Sequence, residues 1–157
     1  MTHKTTNAEA VEIDAEAVVA EMSGGQSDQE VAQATQEAKK QVLVVDNDRI
    51  LCTLMARGLQ SAGLRVTTAD TGAAAMKVIS DTKPDAIVID LMIPVVGGLS
   101  FLRWLRNEAK LDVPVVVFST HTSSENQKKA IDAGATKVIA KTSDLSEFVR
   151  HMQSVLM

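Results

Sequence analysis

The chain has 157 residues, a net charge of −4 and one cysteine, Cys52, which together predict one domain and exclude a disulfide bond within the chain. Residues 1–40 carry eight acids and three bases, whereas residues 41–157 carry twelve acids and thirteen bases, so the second part is nearly neutral. Because there is no large basic face and no long apolar run, we expect no nucleic-acid partner, no membrane insertion and a cytoplasmic protein.

Residues 1–40 form an acidic arm of low hydrophobicity that has no aromatic residue. Such a segment buries little surface, so we expect it to be disordered or partly helical. Capping-box patterns at residues 6–9 and 27–30 mark two helix starts. The first of these helices would carry an apolar stripe made of Val11, Ala15, Val18 and Met22. That stripe is either a partner-binding face or part of a solvated arm with transient helicity.

From residue 41 onward, strand patterns alternate with helix patterns five times. Strands are predicted near 42–46, 65–69, 86–90, 114–118 and 136–140. Helices are predicted near 48–62, 72–80, 98–109, 122–133 and 143–156. The strand patterns at 86–89 and 114–118 are continuous apolar runs, which are typical of strands covered on both faces. Five such units predict a three-layer α/β sandwich with a parallel sheet.

Three local features of this part have structural consequences. The helix near 122–133 has no strongly apolar residue in its first half, so we expect it to open at a low free-energy cost. Asp48 directly precedes the first helix and is predicted to be its N-cap. Cys52 lies among apolar residues, which favours a buried structural thiol over a reactive one.

Charged residues follow three of the predicted strands at the point where each strand ends. Asp46 and Asp90 each follow an apolar run, and Lys141 follows the last strand. The carboxyl ends of parallel strands meet at one edge of a sheet, where open α/β folds bind ligands. Two carboxylates suit a hard cation such as Mg²⁺, and a lysine suits a phosphoryl oxygen. The pattern therefore predicts a phosphoryl-transfer site.

Several motifs occur in an order and spacing that are typical of one family. They are Val44-Val45-Asp46, the segment 84–94 with Gly97-Gly98, the segment 114–119, Ala133-Gly134-Ala135 and Lys141. With these motifs, residues 41–157 resemble the receiver domain of bacterial response regulators. The resemblance implies a flavodoxin-like (βα)5 fold with strand order 2-1-3-4-5. It also implies a signalling domain that assists its own phosphorylation and dephosphorylation, rather than an enzyme.

The resemblance implies a role for each residue at the strand ends. Asp90 matches the aspartate that accepts a phosphoryl group from the phosphohistidine of a sensor histidine kinase or a phosphotransfer protein. Lys141 matches the lysine that pairs with a phosphoryl oxygen. Ser119 matches the hydroxyl residue that bonds the new phosphate, and Thr120 is the alternative hydroxyl if the loop register shifts by one.

A magnesium site is implied by the same resemblance. Its ligands would be Asp46, Asn47, Asp90 and the main-chain carbonyl of Met92. Asn47 stands where the family usually has a second acid, so it offers an oxygen without a charge, and the metal affinity is left open. Pro94 and Gly98 are interpreted as loop geometry.

Two further departures concern the switch. Val138 stands where the family often has an aromatic residue whose rotation reports phosphorylation, so that aromatic switch is absent. Thr142 follows Lys141 in place of the usual proline, which makes a cis peptide bond there unexpected.

The function expected from these residues is a stand-alone response regulator that signals to a downstream protein target or relays its phosphoryl group. No effector-domain pattern follows the last helix. The alternative is a pseudo-receiver, a phosphorylation-independent interaction module, which Asn47, Val138 and Thr142 favour. A flavodoxin-like nucleotide-binding enzyme is disfavoured because no glycine-rich loop follows the first strand.

Overall fold

The computed structural model describes residues 10–13, 39–141 and 144–156. The strands are β1 (Ala10–Ile13), β2 (Gln41–Val45), β3 (Arg65–Ala69), β4 (Ala86–Ile89), β5 (Val115–Ser119) and β6 (Lys137–Ala140). The helices are α1 (Arg49–Ser61), α2 (Gly72–Asp81), α3 (Gly98–Asn107), α4 (Ser124–Ala133) and α5 (Leu145–Leu156). Within these ranges, no helix is long and apolar enough to cross a membrane.

The strands form one six-stranded sheet in the order β1-β3-β2-β4-β5-β6. The strands from β2 to β6 are parallel, and they follow the predicted order 2-1-3-4-5 when counted from β2. The flavodoxin-like (βα)5 fold is therefore confirmed. Each predicted strand and helix of this part is present, with ends that differ by a few residues at most.

β1 is the difference from the predicted architecture. It pairs antiparallel with β3, with Ala10 opposite Ala69 and Ile13 opposite Val66. The prediction of a helix with an apolar stripe is therefore wrong at Val11, because the outer edge of β3 offers this segment a ladder of backbone partners. The other residues of the stripe lie outside the described residues.

The core lies on both faces of the sheet, and alternate residues of each strand serve opposite faces. Leu43 and Val45 of β2 belong to a buried cluster with residues of α2 and α3. Val42 and Val44 belong to a second cluster with residues of α1 and α5. The central strands are therefore covered on both faces, as their continuous apolar sequences predict.

The local predictions for α1 and α4 agree with the structure. The Asp48 carboxylate accepts a hydrogen bond from the Leu51 N–H at 3.1 Å and caps α1. Cys52 is buried. Burial, with the charges of nearby aspartates, raises the pKa of its thiol to about 12, so it stays protonated. In α4, Ala130 is the buried residue, which agrees with the predicted thin packing. The joint after Lys141 falls on Thr142, outside the described residues.

Candidate functional site

Asp46 and Asp90 lie side by side at the carboxyl edge of the sheet. Val45 and Ile89 are register partners in the neighbouring strands β2 and β4, so the residue that follows each strand leaves the sheet at the same level. The Asp90 N–H donates to the Val45 carbonyl at 3.1 Å, which extends the ladder by one step. Both carboxylates are buried, with 2 % of Asp46 and 7 % of Asp90 exposed.

Lys141 joins the two carboxylates. Its Nζ atom lies 2.7 Å from Asp46 Oδ2 and 2.8 Å from Asp90 Oδ2. The residue directly follows β6, where its N–H donates to the Ser119 carbonyl at 3.0 Å. From there the side chain reaches back across the ends of β5 and β4. The cluster holds two carboxylates and one ammonium group, so it has a net charge of −1 when all three are ionised.

Main-chain donors hold the second oxygen of each carboxylate. The Asp48 N–H donates to Asp46 Oδ1 at 2.9 Å, and the Met92 N–H donates to Asp90 Oδ1 at 3.1 Å. In both cases the donor lies two residues after the aspartate, which is the geometry of an Asx turn. Each carboxylate is therefore oriented by one main-chain N–H and by Lys141.

The electrostatics of the cluster act on Asp46 and Lys141. Burial raises the pKa of the Asp46 carboxyl, and the Asp90 charge adds to this, although Lys141 and the Asp48 N–H oppose it. Burial acts to lower the pKa of Lys141. The hydrogen bonds and charges of the two aspartates outweigh that effect and leave the lysine pKa above its ordinary value. Lys141 is therefore a cation at neutral pH.

Ser119 ends β5, next to the two acids in the strand order, and its side chain is fully buried. Its hydroxyl oxygen accepts a hydrogen bond from the His121 N–H at 3.0 Å. Thr120 is exposed, and its hydroxyl lies 3.1 Å from Nδ1 of His121. The loop after β5 is thus organised around Ser119 and His121.

The remaining predicted residues surround this cluster. Asn47 is exposed beside Asp46, and Met92 is 57 % exposed two residues after Asp90. Val138 of β6 lies opposite Val117 of β5. Its side chain is partly buried and packs against the core cluster on the α2–α3 face. An aliphatic residue therefore occupies the predicted position of the aromatic switch.

Gly98 shows why the loop after Asp90 needs a glycine. A Cβ atom at Gly98 would lie 2.6 Å from the Asp90 carbonyl oxygen and 2.5 Å from Leu91 Cα. These distances are shorter than carbon contacts allow, so the start of α3 can approach the loop after Asp90 only without a side chain. The interpretation of Gly98 as loop geometry is confirmed.

The predicted ligands at this edge have the chemistry of a Mg²⁺ site. Carboxylates, an amide oxygen and a main-chain carbonyl are hard ligands of the type that Mg²⁺ takes, with water completing its octahedron. The net charge of −1 on the cluster attracts a cation. However, no group of three or more acidic, histidine or cysteine side chains within the described ranges is arranged to hold a metal ion. The site therefore fits Mg²⁺ with fewer charged ligands than a three-acid pocket.

Sequence reasoning missed several contacts of the site. The Asp48 and Met92 N–H donors could have been found from the Asx-turn position two residues after each aspartate. The contact between Lys141 and Asp46 depends on how β6 lies relative to β2, which no local pattern reports. No sequence signal pointed to His121.

Comparison with known proteins gives consistent matches over this part of the chain. The model of the response regulator receiver domain matches residues 42–153. "Transcriptional regulatory protein PrrA" of Mycobacterium leprae is 38% identical over 115 residues, which cover 73% of this chain and 49% of that protein. "Response regulator MprA" of Mycobacterium sp. (strain KMS) is 34% identical, with 73% and 50% covered. The chain thus spans about half the length of these curated relatives.

Solved structures give the same match. Chemotaxis protein CheY4 of Vibrio cholerae superposes with a TM-score of 0.71 at 28% identity, covering 75% of this chain and 99% of that one. The BeF3-activated N-terminal receiver domain of Klebsiella pneumoniae RstA superposes with a TM-score of 0.70 at 26% identity, covering 74% and 98%.

Proposed function

The chain belongs to the response regulator receiver family, and on that premise we propose that Asp90 accepts a phosphoryl group from a phosphohistidine. The observation that carries the proposal is the Asp46–Lys141–Asp90 cluster, in which one ammonium group contacts both buried carboxylates. The donor would be a sensor histidine kinase or a phosphotransfer protein. The product would signal through contact with a downstream protein target.

The protein contributes little covalent chemistry to the phosphoryl transfer beyond the attacking carboxylate. A carboxylate oxygen of Asp90 bonds to phosphorus while the bond from phosphorus to the donor's imidazole nitrogen breaks. The imidazole keeps that electron pair and takes a proton from solvent. The Met92 N–H and Lys141 orient the attacking carboxylate. The Lys141 ammonium group can then pair with a phosphoryl oxygen and offset its negative charge. Orientation and charge neutralisation are thus the contributions of the protein.

Mg²⁺ would be held by Asp46, Asn47, Asp90 and the main-chain carbonyl of Met92. When bound, the ion neutralises charge on the phosphoryl oxygens. Asn47 supplies an oxygen but no charge, so we propose that this chain binds the ion weakly until the phosphoryl group adds its own negative charge.

The response to phosphorylation would start in the loop after β5. Ser119 is proposed as the responding hydroxyl rather than Thr120, because Ser119 ends the strand beside the acids while Thr120 is exposed. Its rotation toward the phosphate would give up the contact with the His121 N–H, so the loop would rearrange. Val138 would leave more room for this movement than an aromatic ring, and it would take no part by ring rotation.

Exposed apolar side chains favour a protein as the phosphoryl donor. Five large apolar side chains of the described part are exposed, and four of them lie on α1 or on the loop after Asp90. These four are Ile50, Leu54, Met92 and Val95. Both segments follow neighbouring strands that end at the site, so a docking surface there would bring a donor histidine near Asp90. A nucleic-acid partner is not proposed, since residues 41–157 are nearly neutral.

The test is phosphorylation by a small phosphodonor such as acetyl phosphate with Mg²⁺, followed by intact-mass measurement. The protein should gain one phosphoryl group, and Asp90→Asn should abolish the gain. Asp112→Asn, which removes an exposed aspartate elsewhere, is the matched control and should leave it intact. Undiminished labelling of the Asp90→Asn protein would reject the assignment.

The pseudo-receiver is the second candidate, and the observations that favour it are the uncharged Asn47 and the aliphatic Val138. It predicts no mass gain from any phosphodonor, at any Mg²⁺ concentration, in a protein that is correctly folded. The same experiment therefore separates the two functions.

A further inference from the structure

β1 covers the outer edge of β3, although the five-unit fold is complete without it. Its residues pair antiparallel with residues 66–69. An uncovered edge strand presents a row of free backbone groups, to which another chain can add a strand. The pairing of β3 with β2 shows which backbone N–H and C=O groups of β3 face this outer edge.

The backbone groups of Val66 and Thr68 are the ones that face outward. On the inner side, the Arg65 N–H donates to the Lys40 carbonyl at 2.9 Å, and the Ala69 carbonyl accepts from the Asp46 N–H at 3.0 Å. Because backbone groups alternate along a strand, the N–H and C=O groups of Val66 and Thr68 point away from β2. β1 places Ile13 opposite Val66 and Val11 opposite Thr68, so these two pairs exchange the ladder hydrogen bonds.

The connection between β1 and β2 is much longer than the gap it spans. Ile13 lies opposite Val66, and Gln41 lies opposite Arg65, so both residues are level with the amino end of β3. They are two strand spacings apart, which is roughly 10 Å. Residues 14–40 join them, and a chain of that length reaches several times farther. β1 can therefore leave β3 without moving β2.

We propose that β1 is a displaceable cap, and that its removal lets the β3 edges of two copies of this chain pair with each other. A two-fold axis makes such a pair antiparallel, which is the direction in which β1 already pairs. With Thr67 on the axis, Val66 of each copy lies opposite Thr68 of the other. The same four backbone groups are then satisfied by the second copy.

The sequence of β3 supports this pairing. Residues 66–68 are all β-branched, a composition that favours strands. The register places Arg65 opposite Ala69 of the other copy, so the two arginines do not face each other. In this proposal, β1 and a second copy of the chain compete for the same edge of β3. The self-association that β1 suppresses does not depend on phosphoryl transfer to Asp90.

The experiment removes the β1 ladder from the full chain by the double substitution Val11→Pro and Ile13→Pro. Proline has no N–H, so neither ladder pair can form its full set of bonds. Glu12→Pro is the matched control, because Glu12 lies opposite Thr67, whose backbone groups face β2. Oligomeric state is measured by sedimentation velocity over a series of protein concentrations, and amide exchange is measured at Val66 and Thr68.

The proposal expects a monomeric parent and control, and a concentration-dependent dimer for the double variant. In the dilute double variant, the Val66 and Thr68 amides should exchange roughly tenfold faster than in the parent. They should regain protection as the dimer forms, and adding Thr68→Pro should remove the dimer.

Four results would overturn the proposal. They are a double variant that stays monomeric at every concentration, a parent that dimerises equally, amide exchange at Val66 and Thr68 that the double variant does not change, and a dimer that persists with Thr68→Pro. Concentration-dependent protection at Val66 and Thr68 keeps the test decisive if Thr68→Pro disturbs the sheet.

Discussion

Asp46 is a buried carboxylate in a cluster with a net negative charge, and this has a cost for stability. Because burial raises the pKa of Asp46 in the folded state, the folded protein holds this proton more tightly than the unfolded chain does. The protonated Asp46 carboxyl therefore contributes stability below the ordinary aspartate pKa of 3.8. This contribution is lost as the pH rises through the higher pKa of the folded state. Lys141 has a raised pKa as well, and its contribution is lost only in the alkaline range.

We therefore predict that Asp46→Asn stabilises the protein at neutral pH while it weakens Mg²⁺ binding. Asparagine keeps the shape of the side chain, and Lys141 then pairs with Asp90 alone. The gain in unfolding free energy over the parent should be larger at pH 7 than at pH 4, as measured by urea denaturation at both values. A gain that is equal or larger at pH 4 would contradict the assigned direction of the Asp46 shift.

Asn47 determines how much charge the pocket offers to Mg²⁺. Asn47→Asp adds a carboxylate beside Asp46 and should tighten Mg²⁺ binding roughly tenfold, as measured by isothermal titration calorimetry. Asn107→Asp adds the same charge at the far end of α3 and should leave the affinity nearly unchanged. Equal effects of the two substitutions would mean that Asn47 does not face the metal pocket.

At the scale of single elements, α1 presents apolar residues to solvent beside the site. Ile50 is 76 % exposed and Leu54 is 43 % exposed, one turn apart on the helix. We predict that Ile50→Lys with Leu54→Lys lowers the rate of phosphoryl transfer from a histidine kinase by about tenfold or more. Labelling by a small phosphodonor should be unaffected, because that reaction needs no docking surface.

Ile131→Lys is the control for this prediction. Ile131 is also exposed, at 49 %, but it lies in the C-terminal half of α4. An equal loss of kinase transfer in this variant would show that the change of charge, rather than the α1 surface, is responsible.

α4 is held at its C-terminal end and thinly packed at its N-terminal end. Arg106 donates to the Gly134 carbonyl from Nη2 at 2.7 Å and from Nε at 3.1 Å, directly after the helix. Ala130, in the same half, is its buried residue. The first two turns therefore rest on few contacts and should open at low free energy.

We predict that amide exchange in the parallel-sheet part of the chain is fastest over residues 120–130, and that beryllofluoride, a phosphoryl analogue, slows it there. Ser119→Ala should weaken that response while leaving the fold intact, because it removes one hydroxyl contact and little buried volume. Exchange over 120–130 that beryllofluoride does not alter would favour the pseudo-receiver.

For the molecule as a whole, residues 41–157 were predictable because their signals are local and repeated. Each signal lies within a few residues of the helix or strand that it predicts. The signals are the alternating strand and helix patterns, the N-cap at Asp48 and the charges at strand ends. Asp46, Asp90 and Lys141 could be grouped in advance because parallel strands bring their carboxyl ends to one edge.

β1 could not be predicted in this way, because its partner is an edge more than fifty residues away and its sequence is short. For the same reason, the Lys141–Asp46 contact depends on the assembled sheet. These two misses depend on long-range register, whereas the missed Asx-turn donors and the Ser119–His121 contact are local.

The most direct test of the central claim is to locate the phosphoryl group on the chain. After labelling with a small phosphodonor and Mg²⁺, reduction with borohydride converts a phosphorylated aspartate to homoserine, and peptide mass spectrometry then identifies the modified residue. The proposed role of Asp90 predicts modification at Asp90, with Asp46 and Asp48 unmodified. Modification at Asp46 or Asp48, or no modified aspartate in a folded and metal-saturated protein, would contradict the account.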